Sequence, residues 1–83
     1  MKYKIILSNE ARKSFKKIKG QDKNKIVVAL AGLENNPYLG RKMKGVYAGY
    51  YRLRVWPYRI VYRIQQKQLI IFVIAIGQRE GVY

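Results

Sequence analysis

The last third of the chain leaves little freedom in how it folds. From Leu69 to Ile76 the sequence is apolar at eight consecutive positions, whereas the two segments before it, about Tyr50 to Trp56 and Tyr58 to Gln65, alternate apolar and cationic residues. A period of two marks a strand with one buried face, and a run without alternation marks a strand covered on both. Pro57 and the Gln65-Gln66-Lys67-Gln68 stretch supply tight turns, so these segments predict an antiparallel meander whose last strand, Gln68 to Ile76, is central.

The first half must cover one face of that sheet. Lys2 to Leu7 alternates and predicts another strand, with Tyr3, Ile5 and Leu7 on one side. Ser8 is the expected N-cap of a helix over Asn9 to Lys19, where Ala11, Phe15 and Ile18 form the apolar stripe and Gly20 ends it. Arg12, Lys13, Lys16, Lys17 and Lys19 take its solvated faces. Asp22 is the expected cap of a second helix reaching Asn35, with Ile26, Leu30 and Leu33 inward, and Asn35-Asn36-Pro37 stops it. A loop from Tyr38 to Gly49 follows. The order β-α-α-β-β-β predicts an α+β fold, two N-terminal helices packed on one face of a small, twisted, mainly antiparallel sheet. At 83 residues, with no linker or repeat, residues 1–83 are read as a single domain.

Charge narrows the function. The chain holds 18 Lys+Arg against 4 Asp+Glu, and the 49% hydrophobic content argues for a folded polycation rather than a disordered one. All four acids, Glu10, Asp22, Glu34 and Glu80, lie outside the interval from Asn35 to Arg79, which carries nine cations. A surface built only for solubility mixes both signs, so this stretch points to a polyanion, with nucleic acid first. Met1 leads into a charged segment rather than an apolar leader, and no apolar run approaches the roughly 18 residues of a membrane span. These features predict a cytoplasmic protein without a membrane partner. Cys is absent, which removes disulfides and thiolate chemistry.

Strand alternation sorts the cations. Arg52, Arg54 and Trp56 share one face of their strand and Tyr51, Leu53 and Val55 the other; on the next strand Arg59, Val61 and Arg63 oppose Ile60, Tyr62 and Ile64. Arg52, Arg54 and Arg59 are therefore expected together, on the side away from the helices. Arg41, Lys42, Lys44, Arg63 and Trp56 are further candidates for binding RNA, with Tyr47, Tyr50 and Tyr58 nearby for stacking on unpaired bases. Tyr51, Tyr62 and Phe72 are read as core. With no His, no Cys and no carboxylate between Asn35 and Arg79, metal sites, carboxylate pairs and nucleophilic triads find no residues there, and no metal or cofactor is expected.

The order of elements, together with K-M-K-G at Lys42 to Gly45, Y-R-L-R at Tyr51 to Arg54, Y-R-I-V-Y at Tyr58 to Tyr62 and the ending I-G-Q-R-E-G-V-Y from Ile76, resembles the RelE toxin family across essentially the whole chain. The resemblance implies the toxin of a type II toxin–antitoxin pair, a ribosome-dependent mRNA endonuclease that arrests translation. Its catalytic set falls on Arg52, Arg54, Arg59, Arg79 and Tyr83. The best-known members carry Lys where Arg52 and Arg54 stand, and a further C-terminal helix of some members has no counterpart before Tyr83.

Such a site implies metal-free attack by the 2′-OH, with arginines stabilising charge on the phosphate and Tyr83 as base. A phenol of ordinary pKa, about 10, needs the neighbouring cations to ionise near neutrality. Arg is a poor proton donor, which implies slow chemistry unless a ribosome holds the mRNA in its A site. The implied partners are that mRNA, the ribosome and a small cognate antitoxin encoded next to the toxin. Two other readings stay open: a ParE-like non-enzymatic gyrase inhibitor, against which Arg79 and Tyr83 both speak, and an inactive RNA-binding relative.

Overall fold

A computed structural model describes residues 2–78. Strand β1 (Lys4–Leu7) leads into helices α1 (Asn9–Lys17) and α2 (Gly20–Asn35), followed by β2 (Arg41–Lys42), β3 (Tyr51–Val55), β4 (Tyr58–Gln65) and β5 (Ile70–Gly77). The sheet order is β1-β5-β4-β3-β2, antiparallel except for the parallel β1–β5 pair. The meander and the central position of the apolar last strand are as the alternation dictates. Strand β2 lies inside the expected loop; two charged residues carry no period, and only pairing with Tyr51 and Arg52 defines them as a strand.

Both helices cover the same face. Ala11, Ile18, Ile26 and Leu33 meet Ile60, Tyr62, Ile71, Val73 and Ile76 in the core, and Tyr3, Ile5, Leu7, Leu53 and Val55 pack around them. Phe72 departs from its assignment to this core: it stands opposite Arg63, on the face away from the helices. The unbroken apolar run of β5 gave no alternation from which its side could be read. Among the described residues no helix is long and apolar enough to cross a membrane.

The helix boundaries differ from expectation at the joint. Helix α1 ends at Lys17, because Ile18 turns to an extended conformation and is buried there. Gly20, with φ of +67°, begins α2 instead of ending α1. Asp22 thus sits in the first turn, 3.9 Å from Lys25 Nζ, and caps nothing by its side chain.

Ser8 has a second role besides the cap. Its hydroxyl accepts from the Ala11 N–H at 3.0 Å and donates to the Ile74 carbonyl at 2.8 Å, while its own N–H donates to the Val73 carbonyl at 2.9 Å. The register shifts here: Val61 pairs with Ala75 and Tyr62 with Val73, leaving Ile74 unmatched as a bulge. Because of that extra residue, Ile76 reaches the helix side while Ala75 stays level with Val61. Ser8→Ala removes the cap and the donor to Ile74 together, and chemical denaturation is expected to register a loss of about 2 kcal/mol.

Candidate nucleic-acid interface

The face opposite α1 and α2 is organised in rows across the strands. One row runs from Arg54 on β3 to Arg59 on β4 and Gly77 on β5. The next runs from Arg41 on β2 through Arg52 and Val61 to Ala75, and a third pairs Arg63 with Phe72. Residues directly opposite in a ladder share a face, so Arg41, Arg52, Arg54, Arg59 and Arg63 all project to one side. The register thereby brings Arg41, from a segment with no alternation of its own, directly beside Arg52.

Two like-charged pairs, Arg41–Arg52 and Arg54–Arg59, face each other across neighbouring strands. Each such pair disfavours a sheet by up to about 1 kcal/mol. Among the described residues no carboxylate lies in ion-pair contact with Arg41, Arg52, Arg54 or Arg63. The arrangement is unfavourable as structure and suited to an anion, since adjacent guanidinium forks can bind several phosphate oxygens at once.

The arginines differ in exposure. Arg54 is open to solvent and Arg52 is half-buried, whereas Arg59 retains 7% of its surface at the centre of the face. Val61 and Ala75 are buried although α1 and α2 pack on the other face. Where β2 begins, a pocket of about 400 Å³ opens against β3, lined by Leu39, Arg41, Arg52, Leu53 and Arg54. Among the described residues no cluster of His, Cys, Asp or Glu is able to hold a metal. Charge stabilisation by arginine is the chemistry this face offers.

The other candidates are dispersed. Lys42 pairs with Tyr51 and so belongs to the opposite face; at this edge of the sheet a second pocket is lined by Tyr38, Lys42, Met43, Tyr50 and Tyr51. Lys44 is exposed at the head of the short turn Gly45–Tyr47, and Trp56, 73% exposed, lies in the β3–β4 turn beyond the Arg54–Arg59 row. Tyr58 pairs with Val55 and packs on the helix side, away from the arginines, because it shares the alternation of Ile60 and Tyr62. Arg79 and Tyr83 lie outside the described residues. Alternation already puts Tyr50 on the side of Arg52 and Arg63 on the side of Arg59, but it carried no signal that Phe72 joins them, since Phe72 lies in the unbroken run.

Comparison with known proteins bears on this fold. The family model described as the ParE toxin of type II toxin–antitoxin system, parDE, matches residues 5–83. A RelE-like toxin protein of Escherichia coli is 30% identical over 82 residues, spanning 96% of this chain and 86% of that protein. The crystal structure of the toxin–antitoxin complex RelBE2 from Mycobacterium tuberculosis contains a chain that superimposes with a TM-score of 0.86 at 22% identity, over 95% of this chain and 100% of that one. The isolated RelE toxin of Escherichia coli gives a TM-score of 0.81 at 23% identity, over 98% and 90% of the two chains. At such identities the solved structures establish the shared fold.

Proposed function

The chain belongs to the RelE/ParE superfamily of toxins from type II toxin–antitoxin systems, and on that premise we propose that it is a ribosome-dependent mRNA endonuclease that arrests translation in the cytoplasm. The observation that carries this reading is the pair of arginine rows on the open face, Arg41–Arg52 and Arg54–Arg59. A protein that only docked on another protein would have little use for like-charged guanidinium groups held in register across neighbouring strands; a phosphodiester offers oxygens to each of them.

In this reading Arg52, Arg54, Arg59 and Arg79 surround the scissile phosphate, and Arg41 extends the contact to a neighbouring phosphate. Lys42, Lys44 and Trp56 contribute attraction and stacking at the rim. Tyr83 takes the proton from the 2′-OH, whose oxygen attacks phosphorus in line; the bond to the 5′-oxygen breaks, leaving a 2′,3′-cyclic phosphate, and the leaving oxygen is protonated from solvent. The arginines act as the preorganised charge that holds the additional negative charge in the transition state. The ribosome, as partner, presents mRNA in its A site in attack geometry. A small acidic antitoxin encoded nearby is the natural inhibitor, and the likeness to a toxin within a toxin–antitoxin complex supports such a partner.

The ParE family match favours a second reading, a gyrase inhibitor without enzymatic activity. Induced expression followed by primer extension on cellular transcripts separates the two. Cuts within translated messages, with growth restored by Arg79→Ala and by Tyr83→Phe, are the expected result. Intact messages with DNA damage and filamentation identify the gyrase reading, and RNA binding without any growth defect identifies an inactive relative.

A further inference from the structure

The arginine face continues beyond the rows that would hold the reacting phosphate. Arg63 is four residues past Arg59 on the same strand, which places it roughly 13 Å further along at the ordinary strand rise. Its guanidinium carbon lies 5.6 Å from the ring centroid of Phe72 and 5.9 Å from that of Tyr50. Tyr50 in turn meets Tyr47 edge-on, with centroids 6.4 Å apart and ring planes at 85°. The Arg63 Nε is buried and donates to no acceptor among the described residues.

A purely structural role explains this group poorly. Covering Phe72 needs only an apolar side chain, and a buried donor left without an acceptor costs about 1–3 kcal/mol. Ring surface beside a guanidinium that still has hydrogen bonds to give matches a ligand with a flat π-face and acceptor atoms on its edge. A phosphate meets the charge and ignores the rings; an aliphatic group does the reverse. An unpaired nucleobase meets both, and a purine best, with its larger stacking surface and, in guanine, the O6 and N7 acceptors that suit an arginine.

We infer that Tyr50, Arg63 and Phe72 form a base-recognition subsite, selective for a purine, that holds a nucleotide neighbouring the one cleaved. The inference rests on the proposed RNA-directed function and deepens it. The Arg54–Arg59 row would bind phosphate without regard to sequence, so the choice of where a message is cut would fall to this second group.

The probe is a set of RNA hexamers, 2′-O-methylated throughout so that no 2′-OH can attack, carrying adenine, uracil or no base. Wild-type protein is expected to bind the adenine hexamer about tenfold tighter than the abasic one, the effect of one stacked base. Arg63→Gln and Tyr50→Leu are expected to bring that ratio close to one, Arg63→Lys to restore little of it, and Tyr50→Phe to keep it. Melting curves verify that each variant is folded, and Arg63→Gln decides the matter should Tyr50→Leu unfold. Wild-type protein that does not distinguish adenine from abasic RNA, or an unchanged ratio in folded Arg63→Gln, overturns the inference. On programmed ribosomes, the preference for a purine at a fixed position beside the cut should flatten in the same variants. Absence of any cleavage by the wild-type chain would count against the endonuclease reading, while the hexamer ratios would still decide on the subsite.

Discussion

Under the proposed endonuclease function, Arg54→Ala is expected to slow single-turnover cleavage of mRNA on programmed ribosomes by about a hundredfold or more, the usual effect of removing one preorganised charge donor from a reacting centre, without lowering the melting temperature. Both halves of this result follow from where Arg54 sits. It is exposed, so its side chain contributes little to packing, and it stands directly opposite Arg59, so its removal relieves a like-charge contact across the ladder. A residue kept for structure gives the reverse pattern. Arg54→Lys retains the charge and loses the planar fork, and should fall between the two. Arg59→Ala cannot make the same distinction, because Arg59 retains only 7% of its surface and its loss disturbs packing as well. Wild-type cleavage by Arg54→Ala, or a drop of many degrees in melting temperature, would remove Arg54 from the reacting centre.

The second large effect is expected at a place remote from any phosphate. Tyr62 is wholly buried, and its hydroxyl donates to the Pro37 carbonyl at 2.7 Å while accepting from the Gly40 N–H at 3.0 Å. Its ring stacks on Tyr51, with centroids 5.6 Å apart; Tyr38 packs edge-on against Tyr51, and Gln66 Nε2 donates to the Tyr38 hydroxyl. One phenol thus fixes the segment that delivers Arg41 to Arg52. Tyr62→Phe strands a buried carbonyl and a part-buried N–H and is expected to destabilise the fold by about 2 kcal/mol, or about 10 °C in melting temperature for a chain of this size.

Gly40→Ala should do at least as much damage by another route. A Cβ there would lie 2.6 Å from the Tyr62 hydroxyl and 2.9 Å from the Arg52 carbonyl oxygen. The first is held by two hydrogen bonds and the second is backbone, so β2 itself must move. Cleavage and stability are expected to fall together, in contrast with Arg54→Ala. Unchanged melting temperatures in both variants would show that the Tyr62 lock is not what holds β2.

Burial raises the pKa of Tyr62 above its usual value of 10.0, partly opposed by the hydrogen bond from Gly40 and reinforced by Tyr51. A folded-state value above the unfolded one means the neutral phenol is favoured by folding. The associated stability is complete below about pH 10 and declines as the pH rises past it.

How much of this was legible in the sequence depends on the range of the interaction. Arg52 and Arg54 read correctly onto one face because a strand's period of two is local, and Arg59 joined them because a two-residue turn at Pro57 leaves almost no freedom in the register of β3 against β4. Ser8 was recognisable as a cap from its neighbours, but its bond to Ile74 spans 66 residues and was not. Asp22 was misplaced as a cap because Gly20 adopts its positive φ at the start of a helix, a choice imposed by burying Ile18 just before it.

The sequence by itself therefore determined the α+β class, the meander, the inward stripes of both helices and the basic character of the open face, since all of these follow from periodicity and charge within short windows. Tertiary structure alone decided that Arg41 stands beside Arg52, that Lys42 does not, and that Arg63 lies between Tyr50 and Phe72. Those positions depend on pairings between segments with no period of their own: a two-residue strand held by the hydroxyl of Tyr62, and an unbroken apolar run whose faces are assigned only when a bulge at Ile74 sets its register. Local pattern encodes neither, because the energy that selects them resides in contacts made only after the chain has closed on itself.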